Sequence, residues 1–251
     1  MGFSPNGRTV AAANHLGNRL TLYEVATGRE KASLEITPAY PMALAFSPDG
    51  RVLALNTEKG VRLLNLPLLV GGTERIQAAS LPSLWDDLAG ADAARAYRSQ
   101  CRLLLGGADT IRFLQTKLRP VREPPPERLA RLLQDLESQR YAARDRAAQE
   151  LARFGEGAGS GLREALARNP SLDLRRRLES LLASQTDPRQ DHAIEILEGI
   201  GDGAARQLLE QLAAGVSAAR LTRDAKAALD RLARRTTGPH QPALTSSTPR
   251  R

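Results

Sequence analysis

Hydrophobic positions along this chain follow two different periods. Between Arg8 and Leu69 they come as short apolar runs separated by turn residues, with no helical spacing. Thr9-Val10-Ala11-Ala12-Ala13, Leu20-Thr21-Leu22-Tyr23-Glu24-Val25 and Lys31-Ala32-Ser33-Leu34-Glu35-Ile36 read as strands, the last two alternating and therefore half buried. Asn6-Gly7 turns the chain before the first, and Ala26-Thr27-Gly28-Arg29-Glu30 turns it before the third. Met42-Ala43-Leu44-Ala45-Phe46, Val52-Leu53-Ala54-Leu55-Asn56 and Gly60-Val61-Arg62-Leu63-Leu64-Asn65-Leu66 predict a second set around a Pro48-Asp49-Gly50 turn. From Leu84 onward apolar residues recur at three and four, the spacing of one helix face.

The strand region repeats. Phe3-Ser4-Pro5-Asn6-Gly7-Arg8 returns 43 residues later as Phe46-Ser47-Pro48-Asp49-Gly50-Arg51. A period in the forties with such a turn between hydrophobic runs is the mark of a β-propeller blade. These residues resemble the WD40 repeats, whose common form carries an FSPDGR turn, a following Leu-Ala, a Gly-Val-x-Leu strand and a Thr-Gly-x-Glu turn. Phe46 to Arg51, Leu53-Ala54, Gly60-Val61-Arg62-Leu63 and Thr27-Gly28-Arg29-Glu30 fall at the matching places. The copies are degenerate: Tyr23-Glu24 and Leu64-Asn65 replace the Trp-Asp dipeptide, and Thr37-Pro38-Ala39-Tyr40-Pro41 stands where the family has Gly-His. The family's buried His–Asp network therefore cannot form.

A propeller closes with about four to eight blades, and this segment supplies about two. An open pair exposes apolar strand faces and an unpaired edge. The expectation is that the chain is the C-terminal part of a larger WD40 repeat protein; the alternative is that another chain covers the missing surface.

The helical half repeats as well. Ala147, Leu151, Phe154, Gly155, Gly157, Ala158, Leu162 and Leu166 match Ala193, Leu197, Ile200, Gly201, Gly203, Ala204, Leu208 and Leu212, each pair offset by 46. One residue further on, Leu174, Leu178, Leu181 and Leu182 match Leu221, Ala225, Ala228 and Leu229. Helix, glycine turn, helix at this period is the form of a HEAT-type unit. Ser171 and Asp187-Pro188 are set to cap helices, and Pro124-Pro125-Pro126 to open one carrying Leu129, Leu132, Leu133 and Leu136. Asp109 is set to cap a short helix after Gly106-Gly107. The stretch from Leu84-Trp85-Asp86-Asp87-Leu88-Ala89-Gly90 to Ala96-Tyr97-Arg98 resembles the HEAT-like C-terminal region behind WD40 propellers in large planctomycete-type bacterial proteins. That resemblance implies an architecture and no single activity.

The fold class expected is therefore mixed, in two segments: about two degenerate antiparallel β blades, an incomplete WD40-like propeller, then an all-α HEAT-like repeat domain. The boundaries read are blades over 1–70, a linker over 71–83, helical repeats over 84–235 and a disordered Pro/Ser/Thr-rich tail over 236–251.

Charge changes little. The net charge is +8, and Arg234, Arg235, Arg250 and Arg251 supply half of it. The rest is interleaved with carboxylates, an ordinary solvated surface. With a single cysteine, Cys101, no disulfide within the chain is possible. No apolar run reaches the roughly 18 residues that span a bilayer, and a cytoplasmic location is expected. Gly199-Ile200-Gly201-Asp202-Gly203 follows a helix and not a strand, so it reads as an inter-helix turn and not a nucleotide loop. His15, His192 and His240 have no ligand-spaced partners, and Cys101 reads as a packed small hydrophobe. Trp85 reads as an anchor for the first helix, and Asp86-Asp87 as first-turn acids favoured by the helix dipole. Arg175-Arg176-Arg177 point about 100° apart on a helix, a solvated face and not a phosphate patch. We assign no catalytic, cofactor-binding or metal residue and no cofactor. The expected function is a non-enzymatic scaffold binding other proteins; association with nucleic acid, or service as the regulatory end of an enzyme encoded upstream, are the alternatives.

Overall fold

The computed structural model describes residues 1–14, 18–36, 43–185 and 187–237, the side chains of 236 and 237 excepted. His15, His240, the loop at 37–41 and the tail from 238 onward lie outside the described residues.

The first segment is two antiparallel sheets. β1 (Gly2–Phe3), β2 (Thr9–Asn14), β3 (Arg19–Glu24) and β4 (Glu30–Glu35) form one in sequence order, and β5 (Ala43–Phe46), β6 (Val52–Thr57) and β7 (Gly60–Asn65) the other. The repeated hexapeptide is the turn from the first strand to the second in each sheet, and its residues explain it. Ser4 Oγ donates to Asn6 Oδ1 and accepts from Thr9 N–H, while Asn6 Oδ1 also accepts from Arg8 N–H. Ser47, Asp49, Arg51 and Val52 repeat every one of these bonds. Gly7 and Gly50 both sit at φ +70°, the left-handed region that excludes most side chains. Short Ser and Asx side chains supply the turn's hydrogen bonds, and Gly supplies its reversal.

After the second strand the copies drift by two residues. β3 pairs with β2 with Glu24 opposite Thr9, and β7 pairs with β6 with Asn65 opposite Val52. The copies then part. Val25 N–H and Leu66 N–H bond the carbonyls of Arg8 and Arg51 alike. Val25 enters a turn to β4, but Leu66 starts α1 (Leu66–Gly71), because Asn65 Oδ1 caps Leu68 N–H and Pro67 stands in the first turn. Among the described residues the second sheet thus has no fourth strand, and the segment read as strand through Leu69 ends at Asn65.

A 3-10 turn (Ala78–Ser80) leads to α2 (Leu81–Asp87), α3 (Ala93–Leu105) and α4 (Gly107–Lys117). α5 (Pro126–Leu136), α6 (Tyr141–Phe154), α7 (Gly159–Ala167), α8 (Leu172–Ser184), α9 (Pro188–Ile200), α10 (Gly203–Ala213) and α11 (Arg220–Thr237) follow. The region read as linker therefore holds the end of α1 and the start of α2. Asp86 and Asp87 end α2 instead of opening it, since Pro82 sets the first turn. Asp109 lies inside the first turn of α4 and does not cap it. α11 takes in Thr236 and Thr237, two residues past the expected end of the helices.

Three cores divide the interior among the described residues. The two sheets share one with Tyr97 and Cys101 of α3 and Leu66 of α1. α2 to α4 and α9 to α11 form a second, and α5 to α8 a third. The offset pairs Ala147/Ala193, Leu151/Leu197, Leu162/Leu208 and Leu178/Ala225 are buried in both copies. Ala158 and Ala204 differ, one enclosed and the other exposed, as do Gly157 and Gly203. Residues Gly155–Ala158 wind as a 3-10 turn in the first copy, whereas a left-handed Gly201 and an Asp202 cap make the turn in the second.

Candidate functional site

The last residue of each hexapeptide reaches into the helices. Arg8 Nη1 lies 3.2 Å from Glu195 Oε1 and donates to the Asp191 carbonyl at 3.3 Å, while Nη2 lies 3.0 Å from Asp224 Oδ2. Arg51 Nη1 donates to the Gly199 carbonyl at 3.5 Å. Positions 191, 195 and 199 recur at four along α9, so both turns dock on one stripe of that helix. Arg220 extends the network by pairing with Asp191 and Glu156.

Beneath Arg8 lies a polar chain. Glu195 Oε2 accepts from Gln100 Nε2 at 2.7 Å, and Gln100 Oε1 meets His192 Nδ1 at 3.0 Å. A carboxylate only accepts, so Gln100 must turn its amide nitrogen to Glu195 and its oxygen to His192. His192 then carries its proton on Nδ1 and its lone pair on Nε2. Burial alone would raise the Glu195 carboxyl, but Lys31, His192, Arg8 and the Gln100 amide hold it below the usual value. Burial, with Lys31 nearby, pushes the His192 imidazole down and outweighs the pull of Glu195. Lys31 itself is buried, with Nζ 3.0 Å from Thr9 Oγ1 and 4.6 Å from the centre of the Tyr97 ring.

A groove of about 410 Å³ runs along this seam, lined by Arg8, Glu24, Lys31, Asp191, His192 and Arg220. A smaller cavity of about 70 Å³ sits between the two turns, α3 and α9, with Asn6, Asp49, Gln100, Cys101, Glu198 and Arg235 on its walls. Glu198, nearly enclosed, accepts from Arg231 Nε and Nη2 at 2.9 and 2.7 Å and from Arg235 Nη2 at 2.5 Å. The charged groups along the seam face counter-charges from the same fold, which makes it a joint between sheets and helices.

No family model matches the sequence, and a search of curated proteins finds no match.

The residues singled out in the sequence are dispersed. Cys101 is buried beside Tyr97, and burial pushes its thiol up to about 12. Trp85 packs edge-on to Phe113 of α4 at 6.3 Å and under the Arg189 guanidinium of α9, so it anchors α2 to helices and not to the sheets. Asp87 accepts from Ser99 and pairs with Arg95. Arg175 bonds Asn169, and Arg177 bonds the Leu136 carbonyl and pairs with Asp173. Gly199 to Gly203 end α9 and open α10. Of the three histidines only His192 is described, and it belongs to the seam. Among the described residues no group of three or more His, Cys, Asp or Glu is placed to hold a metal ion, and no helix is long and apolar enough to cross a membrane.

Sequence pattern alone does not mark Arg8, Lys31 and Glu195 of the seam, or Val61 and Leu63 of β7, as a site. The first was legible as the closing arginine of a repeated turn, and the last two as an alternating strand. Leu20 and Leu22 of β3 are fully enclosed. Their counterparts in β7 are Val61 and Leu63, by the pairing of Ala13 with Leu20, Ala11 with Leu22, Asn56 with Val61 and Ala54 with Leu63. Val61 is 67% exposed and Leu63 70%. The face that the first sheet buries against the second is left open on the second. Among the described residues no strand pairs with the far edge of β7.

Proposed function

We propose that this chain is a non-enzymatic scaffold that binds other proteins, built from two degenerate WD40-like blades carried on HEAT-like helical repeats. The open face of the second sheet carries the reading. Burying a Val or Leu side chain is worth about 1.5–3 kcal/mol, and the sheet withholds two of them, with Ala43 and Ala45 beside them, from its own core. Contiguous apolar surface of this kind serves association. The arginines Arg8, Arg220, Arg231 and Arg235 are committed to internal carboxylates, which favours protein over nucleic acid as the partner.

The test is quantitative capture from a lysate of the source cells, with the full chain and its Val61→Lys/Leu63→Lys variant as bait. The scaffold reading expects a defined set of polypeptides on the wild-type chain that the variant loses. Equal retention by both baits contradicts it.

A further inference from the structure

We propose that copies of this chain associate head to tail, the open face of the second sheet in one copy seating on the outer face of the first sheet in the next. The proposal rests on the scaffold reading and names the partner as a second copy.

The interface it invokes is already present once inside the chain. Ala11, Leu20 and Leu22 of the first sheet pack on Phe46, Leu53 and Leu55 of the second in a shared core. The repeat carries each of these faces to the opposite end of the pair. Ala11, Leu20 and Leu22 become Ala54, Val61 and Leu63 on the open face of the second sheet. Phe46, Leu53 and Leu55 become Phe3, Val10 and Ala12 on the outer face of the first, where Phe3 pairs with Val10 as Phe46 does with Leu53. Phe3 is 65% exposed, while Phe46 is partly buried against the core. One end of the pair thus carries the kind of face that the other end is shaped to cover.

Shapes agree with that assignment. Within the chain Gly2 lies so close to Leu44 that a methyl there would stand 2.6 Å from Leu44 Cδ1. The counterparts are Ala45 and Met1: the methyl that Ala45 adds would meet the unbranched, 92% exposed Met1, the side chain best able to yield. The alanine-rich open face, with Ala43, Ala45 and Ala54, offers shallow sockets for the protruding Phe3. A face-to-face dimer of open faces would bury Val61 and Leu63 and still leave Phe3 in water; the head-to-tail contact covers all three.

Because the two surfaces differ, the contact is heterologous, and it closes when its rotation divides a full turn. Propellers close with about four to eight sheets, and each copy of this two-sheet segment adds two sheets to such a ring.

Sedimentation of the full chain over a concentration series tests this, with Leu63→Glu spoiling one surface and Phe3→Glu the other. Both positions are exposed, and unchanged circular dichroism confirms the fold of each variant; Leu63→Ser and Phe3→Ser serve as milder versions. The wild-type chain should assemble as its concentration rises. Each variant alone should lose at least ten-fold in association constant. An equimolar mixture of the two should recover a one-to-one heterodimer, since each retains the surface that the other lacks. A wild-type chain that stays monomeric, a mixture that stays monomeric, or a loss with Leu63→Glu but not with Phe3→Glu overturns the proposal. Should the chain stay monomeric while the Val61→Lys/Leu63→Lys bait still loses other polypeptides, self-association falls and the scaffold reading stands.

Discussion

Arg8 Nη1 lies 3.2 Å from Glu195 Oε1, a contact between residues 187 apart in sequence. It ties the first sheet's turn to the middle of α9, where the Glu195 side chain is only 13% exposed. Arg51, its counterpart in the other turn, makes one long bond to a backbone carbonyl. One repeated residue therefore carries two different loads. Removing Arg8 leaves an enclosed carboxylate short of its guanidinium, which costs about 3 kcal/mol. Removing Arg51 costs at most about 1 kcal/mol. Urea unfolding of Arg8→Ala and Arg51→Ala checks the order; equal losses would contradict it.

Acid should loosen the same joint. The folded His192 imidazole lies below its ordinary 6.5, so the unfolded chain takes up the proton first. Its contribution is intact above 6.5 and lost as pH falls from there through the folded value. The folded Glu195 carboxyl lies below 4.5, so its contribution is present above 4.5 and lost as pH falls through its own folded value. Both effects weaken the fold on acidification, in two stages. His192→Asn keeps a donor toward Gln100 without the titration. Unfolding free energies measured from pH 7 to 5 should fall in the wild-type chain more than in this variant, and parallel curves would sink the assignment.

Gly157 and Gly203 are offset by 46 but answer to different constraints. A Cβ on Gly157 would stand 2.0 Å from the Arg122 carbonyl oxygen, a backbone atom that cannot swing aside. A Cβ on Gly203 meets nothing within 4 Å. Gly157→Ala should cost about 2 kcal/mol or more, while Gly203→Ala should be neutral or stabilise by about 0.5 kcal/mol. Thermal midpoints of the two variants decide.

Cys101 should be silent in the native chain. Its thiol is buried and raised to about 12, and only thiolate reacts quickly. Labelling with a thiol-reactive chromophore at pH 8 should need denaturant. Rapid native labelling would show that α3 and the sheets part readily.

Much of this architecture was legible in the residues. Alternation and the two FSP[N/D]GR turns gave six of the strands within a residue or two, because Ser, Asx and Gly at fixed places dictate the turn locally. Periodicity likewise gave the helices from α5 to α11, and the caps at Ser171 and Asp187 follow from side chains that bond the next turn. The start of α1 was hidden: Leu66-Pro67-Leu68-Leu69 is apolar enough for a strand, and the decision rests on Asn65 as a cap. α2 opens at Leu81, ahead of the point at Leu84 where helical spacing becomes readable, because Pro82 stands in its first turn. The seam was not legible at all. Nothing local marks Arg8 and Glu195 as partners, since that pairing depends on where α9 crosses the sheets. The open face lay in plain view as Val61-Arg62-Leu63, but only the comparison with enclosed Leu20 and Leu22 gives it meaning.

The scaffold proposal stands on β7 presenting a protein-binding face. A photo-crosslinking residue placed at Leu63 in the native cell, with exposed Leu172 of α8 as the control position, tests it in place. Discrete crosslinks to polypeptide are expected at position 63 and none of comparable yield at 172. No crosslink at 63, or the same diffuse labelling at both positions, would contradict it.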